Sequence, residues 1–146
     1  MPRQLLTHDG KTYSLKEYDL PEMGPQDVRV RVLFAAPKHG TESHSLSGSA
    51  FDRKQWNPEL RMFLPKPEFE TAPAGERSIG NSVVGEITAT GPNVSRFKIG
   101  DQVFGYGPIR EEHQAPEEHW HARQDLTVEN AVCVDPAHVA FVAVRD

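Results

Sequence analysis

His119 and His121 stand two residues apart, with His113, Glu117 and Glu118 close by in the sequence. On a β-strand that spacing turns both imidazoles to one face, where zinc or another transition metal could take nitrogen ligands. A metal centre also needs an aligned third donor and outer partners that orient the rings. The simpler reading is a polar strand face, with a small metal-binding protein as a competing one. Gly105-x-Gly107-x-x-Arg110 imitates part of a dinucleotide fingerprint, in which glycines let the backbone approach a pyrophosphate. It is followed by Glu111-Glu112 instead of a periodic helix, so the required strand-turn-helix setting is missing and the reading is rejected. Cys133 is the lone cysteine, which excludes an intrachain disulfide and a four-cysteine zinc knot and fits a reducing cytosol. Asn93-Val94-Ser95 fits a glycosylation sequon but reads as turn chemistry.

The elements that must position such groups are mostly short strands. Val28, Val30, Val32 and Phe34 alternate with Arg29, Arg31 and Leu33, the period of a half-buried strand. Residues 3–8 and 12–17 flank Asp9-Gly10, a dipeptide that accepts the positive φ of a tight hairpin. A β-branched run, Val83-Val84-Gly85-Glu86-Ile87-Thr88-Ala89-Thr90, stops at the turn signal Gly91-Pro92-Asn93. A strand over 101–105 follows the corner Ile99-Gly100-Asp101, and another includes His119-Trp120-His121. Between 37 and 79 lie five of the 12 prolines. Two short helices are predicted there, one from about Thr41 and one capped by Asn57 with Pro58 in its first turn. This long connection carries His44, Phe51, Arg53, Lys54, Trp56, Arg61 and Phe63 and is the expected source of substrate discrimination, although Trp56 and Phe63 read as packing residues.

The chain has 146 residues, enough for one domain that buries roughly 68–70% of its unfolded surface. Sixteen Lys plus Arg against 21 Asp plus Glu give a net charge of −5, and the basic residues are scattered, which argues against a nucleic-acid partner. No apolar run approaches the roughly 18 residues that cross a bilayer, and MPRQLLTHDG lacks the apolar centre of a signal peptide. The expected location is the cytoplasm, with no membrane partner. Together these signals predict a mainly β protein with short helices, built as a small, partly closed β-barrel. At the carboxyl end, Asp135-Pro136-Ala137 reads as a cap leading into His138-Val139-Ala140-Phe141-Val142-Ala143-Val144, apolar on nearly every side. Such a helix requires a packing partner, expected outside this polypeptide.

The stretch Gly80-Asn81-Ser82-Val83-Val84-Gly85, continuing through Gly91-Pro92-Asn93-Val94 to Phe97-Lys98-Ile99-Gly100-Asp101-Gln102-Val103, resembles the amino-terminal, GroES-like domain of the medium-chain dehydrogenase/reductase family. That family's pattern is a Gly-His-Glu-x-x-Gly opening, a Gly-x-x-Val turn and a Phe-Lys-x-Gly-Asp-x-Val corner. Residues 27–36 match the strand before the family's first active-site loop, and His39-Gly40-Thr41-Glu42 sits where many members carry Cys-Gly-Thr-Asp. The resemblance implies a GroES-like barrel over residues 1–134, with 135–146 beginning the helical connection to a cofactor-binding Rossmann domain that is absent from this chain.

The function so implied is the substrate side of an NAD(P)-dependent alcohol dehydrogenase-like oxidoreductase, inactive without its cofactor half. NAD or NADP would be held mainly by that other domain. The implied partners are a small-molecule alcohol or carbonyl substrate, the C-terminal Rossmann domain and, as an open point, a second copy in a homo-oligomer. The zinc-using branch supplies a thiolate, an imidazole and a carboxylate where this sequence has His39, Asn81 and Ser82. An amide and a hydroxyl are poor zinc ligands, so the resemblance points to a zinc-independent or degenerate site. In it Thr41 would relay a proton and His39 would assist as acid or base, against the plainer reading that both cap a short helix or line a loop. A stand-alone GroES-like binding or assembly module without catalysis is the competing function.

Overall fold

The computed structural model describes residues 1–8, 12–38, 40, 42, 54–65 and 75–145. A five-stranded antiparallel sheet forms its centre. In spatial order it contains β10 (Trp120–Ala122), β8 (Gln102–Tyr106), β7 (Ser82–Thr90), β3 (Asp27–Ala36) and β9 (Glu112–Pro116). A three-stranded sheet places β1 (Arg3–Thr7) between β2 (Tyr13–Glu17) and β6 (Arg77–Ser78). It joins the larger sheet through Leu5 N donating to the Ile109 carbonyl at 3.0 Å and Glu111 N to that of Arg3 at 2.9 Å. The outcome is the mainly β, curled half-barrel expected from the strand pattern. The β1–β2 hairpin forms, while its Asp9-Gly10 turn lies outside the described residues.

Alternation explains the core. Val28 and Val30 of β3 meet Val83 and Ile87 of β7, Val103 of β8 and Trp120 of β10, all essentially buried, while Arg29 and Arg31 take the other face. Adjacent residues of β7 face opposite ways, so Val84 leaves this cluster and packs on Ala131 and Val132 of helix α1 (Val128–Val132). Helix α1 starts at Thr127, whose Oγ1 accepts the Asn130 N–H at 3.2 Å. It leads directly into α2 (Val134–Arg145), which has no buried residue. No helix among the described residues is long and apolar enough to cross a membrane.

Several expectations change. Phe34 does not continue the inward row: the β3–β7 register shifts between Val32 and Phe34, and both Leu33 and Phe34 are exposed. Bulges of this kind bend and twist the strand that carries them. The helix at Asn57-Pro58 is instead a hairpin of β4 (Lys54–Asn57) and β5 (Met62–Pro65). Asn57 Oδ1 accepts the Leu60 N–H at 2.9 Å, the same local bond that caps a helix, but Arg61 then adopts φ 51° and turns the chain back. Trp56 and Phe63 pair across that hairpin edge-to-face at 5.1 Å, and both remain exposed. Gly40 and Glu42 are helical, in keeping with the helix predicted near Thr41; Thr41 itself lies outside the described residues. Strand β9 was not foreseen, because Glu112, His113 and Gln114 show no apolar alternation; it is ordered by edge pairing to β3.

Candidate functional site

The site gathers where the ends of β3, β7 and β8 meet the start of α2. Gly80 enters β7 with φ 113°, and a side chain there would place Cβ 2.6 Å from Ile109 N, so only glycine suits the position. Its N–H donates to Glu42 Oε1 at 2.8 Å, tying the segment that follows β3 to the start of β7. The backbone of Asn81 is then fixed on both sides: its N–H donates to the Ala36 carbonyl at 3.1 Å and its carbonyl accepts from Gly107 N at 3.1 Å.

With its backbone fixed, Asn81 reaches Asp135. Nδ2 donates to Asp135 Oδ2 at 3.3 Å, the Lys38 ammonium donates to the same oxygen, and the Tyr106 hydroxyl donates to Oδ1 at 2.9 Å. Three donors from three strand ends therefore converge on one carboxylate carried by a helix. The Lys38 ammonium holds the Asp135 carboxyl below the usual carboxylate range against partial desolvation, with Tyr106 and Asn81 adding to it. The same carboxylate raises the Tyr106 phenol above its ordinary value and keeps it protonated.

Beside this cluster lies a cleft of about 340 Å³, within the size range of small-molecule sites. Phe104, Ala131 and Val134 form apolar walls, while Ser82, Tyr106, His121, Asp135 and His138 bring polar groups. His121 lies over the Phe104 ring with centroids 5.3 Å apart, as the β10–β8 register dictates. The arrangement can hold a small molecule that is apolar on one side and hydroxylated on the other.

The histidines proposed from spacing part company. His119 belongs to a 3₁₀ turn, Glu117–His119, so it does not share a strand face with His121. His113 sits on β9 against Trp120, ring centroids 6.2 Å apart, and its Nε2 lies 3.0 Å from the Pro108 carbonyl. That carbonyl can only accept, which places the proton on Nε2. Burial pushes the His113 imidazole below its ordinary value, favouring the neutral ring. Glu117 is engaged elsewhere, accepting the N–H groups of Ser95 and Arg96 at 3.0 and 2.7 Å. The glycine pair serves packing: a Cβ at Gly105 would stand 3.0 Å from Trp120 and one at Gly107 2.7 Å from His113.

His39 and Thr41 lie outside the described residues, as do His44, Phe51 and Arg53 of the long connection. Their neighbours Lys38 and Glu42 do reach the site, through Asp135 and Gly80. Among the described residues, the site fits zinc poorly. Asn81 and Ser82 offer an amide and a hydroxyl, and most lone-pair directions of the Asp135 carboxylate are already taken. A divalent ion about 4 Å from the Lys38 ammonium would meet repulsion of about 2 kcal/mol in bulk water and about 8 kcal/mol at an effective dielectric near 20. Sequence reading did not find Lys38, Tyr106 or Asp135 as site residues. Asp135 was visible only as a helix cap, and Lys38 lies 97 residues away from it.

Residues 24–125 match the alcohol dehydrogenase GroES-like domain family. The chain is 36% identical over 160 aligned residues to D-guloside 3-dehydrogenase of Escherichia coli, covering 99% of this chain and 43% of that protein. It is 31% identical to L-threonine 3-dehydrogenase of a Marinomonas species over 70% of this chain and 25% of that one. The chain thus spans less than half the length of these relatives. Its fold superposes on the crystal structure of 2R,3R-butanediol dehydrogenase from Bacillus subtilis with a TM-score of 0.67 and 20% identity, over all of this chain and 47% of that one.

Proposed function

The chain belongs to the alcohol dehydrogenase GroES-like domain family, and on that premise we propose that it is the substrate-side domain of an NAD(P)-dependent oxidoreductase acting on a small alcohol or the matching carbonyl compound. The observation that carries this reading is the cleft bordered by Tyr106 and Asp135. It lies beside Asn81 and Ser82, the positions where zinc-using relatives carry their imidazole and carboxylate. Its apolar wall and polar rim suit a carbon skeleton bearing hydroxyl groups, and the guloside named for the Escherichia coli relative belongs in a first substrate panel.

In this reading Thr41 relays the substrate hydroxyl proton and His39 serves as acid or base; what supports it is that their sequence neighbours Lys38 and Glu42 bond to Asp135, which borders the cleft, and to Gly80, which precedes Asn81. The nicotinamide supplies the hydride acceptor or donor when bound, and its phosphates belong to a further domain. Helix α2 is the surface that domain would cover, since Val139, Phe141, Val142 and Val144 are exposed along it.

The test follows nicotinamide reduction by the natural protein, with NAD and NADP each offered against a panel of secondary alcohols. Turnover is expected with at least one pair, together with a loss of about 10²-fold in kcat in Thr41→Val. Failure of the natural protein to bind either cofactor would overturn the assignment and favour a non-catalytic binding module.

A further inference from the structure

We propose that the Lys38 ammonium is the resident cation of this site: paired with Asp135, it occupies the carboxylate and keeps divalent metal out. The pairing rests on geometry. Lys38 and Asn81 both donate to Asp135 Oδ2, Tyr106 donates to Oδ1, and the carboxylate has only about four lone-pair directions to offer. The ammonium arrives two residues past the end of β3 and the amide one residue before β7, next to the pair Ala36–Ser82 that closes the β3–β7 ladder; the Asn81 N–H donates to the Ala36 carbonyl and the Lys38 carbonyl accepts from Glu42 N, so the pair is built in before any ligand binds.

The sequence changes at this site are chemically consistent with one another. Where a metal would need deprotonated, electron-rich donors, Asn81 supplies an amide whose N–H₂ points at the carboxylate, and Ser82 supplies only a hydroxyl. A cation of fixed position is still present, but it is a protonated amine and does not exchange. The side chains of Lys38 and Asp135 are only 31% and 14% exposed, so water does not dissolve the pair as it would one on an open surface.

Lys38 is thus a positioning residue. It holds Asp135 ionised, and Asp135 in turn fixes the Tyr106 hydroxyl so that its oxygen lone pairs stay available to a ligand hydroxyl in the cleft. The proposal depends on the dehydrogenase reading only for the identity of that ligand. Exclusion of metal is a property of the cluster and is measured without any turnover.

The experiment titrates cobalt(II), with its visible absorption bands as readout, into the natural protein and three variants: Asn81→His, Lys38→Met, and the two combined. Restoring the imidazole while Lys38 remains is expected to leave cobalt affinity unchanged, whereas the double variant is expected to gain roughly 10- to 100-fold. Equal affinity in Asn81→His and the double variant would overturn the proposal. So would stoichiometric zinc in the unmodified protein that Asp135→Asn removes. Should Lys38→Met fail to fold, Lys38→Arg carries the comparison: it keeps the charge, so Asn81→His in that background is expected to remain metal-free, and cobalt binding there would count against the idea. Absence of dehydrogenase activity would sink the functional reading and leave these titrations standing.

Discussion

The Tyr106 hydroxyl donates to Asp135 Oδ1 at 2.9 Å, joining the last residue of β8 to the first turn of α2. It helps to join a strand end and a separate helix into one wall of the cleft. It also links a phenol held protonated to a carboxyl held ionised, each the cause of part of the other's shift.

Asp135→Asn is expected to destabilise the protein at neutral pH by about 1–3 kcal/mol, because Lys38 loses its anion and Tyr106 a charged acceptor. The folded-state pKa of Asp135 lies below its ordinary value of 3.8. Its contribution is therefore complete above pH 3.8 and disappears as pH falls through the lower, folded value. Urea denaturation at a series of pH values should show the two proteins diverging above that window and converging below it; a constant difference at all pH values would contradict the pairing.

The sign is the same for His113, but the cause and the window differ. Burial lowers its folded pKa below 6.5, so below pH 6.5 the unfolded chain takes up a proton that the folded chain refuses. Stability is full above pH 6.5 and falls as pH drops through the window beneath it. His113→Gln retains a donor for the Pro108 carbonyl and cannot titrate, and should flatten this part of the stability profile. An unchanged slope would mean that His113 is not its origin.

Gly80→Ala combines an unfavourable positive φ with a Cβ 2.6 Å from Ile109 N. A cost of about 1–3 kcal/mol is expected, read as a lower denaturant midpoint at unchanged m-value. The displacement also moves Asn81, so the Asp135-dependent pH effect should shrink in the same variant. Gly100→Ala is a useful control, since its φ is also positive at 92° while its Cβ position is open.

Helix α2 gives a prediction that separates two contexts. Phe141 is 62% exposed and Val144 87% exposed. In the 146-residue chain, Phe141→Glu should alter stability by less than about 0.5 kcal/mol and reduce aggregation. In a protein where a cofactor domain covers α2, the same change should cost about 3 kcal/mol or more, since it buries an unpaired charge in place of an aromatic ring. Thermal unfolding of both forms makes the comparison, and equal small effects would refute α2 as the docking surface.

The sequence by itself determined the parts of this protein that depend on short-range pattern. Val28 and Val30 against Arg29 and Arg31 specify a strand and its buried face, Gly91-Pro92 ends the next, and the motif around Gly80 and Gly85 points to the family, all through periodicity and turn chemistry that act over a few residues. Tertiary structure decided the rest. The Asn57 side-chain bond serves a helix cap and a hairpin turn equally well, so local chemistry could not choose between them. His119 and His121 shared a strand face only until a 3₁₀ turn intervened. Above all, Lys38, Asn81, Tyr106 and Asp135 meet only because antiparallel pairing brings the ends of β3, β7 and β8 together and α1, packed on Val84, delivers α2 to them. A charge pair spanning 97 residues leaves no local trace, since its energy depends on distance in space and not on separation along the chain.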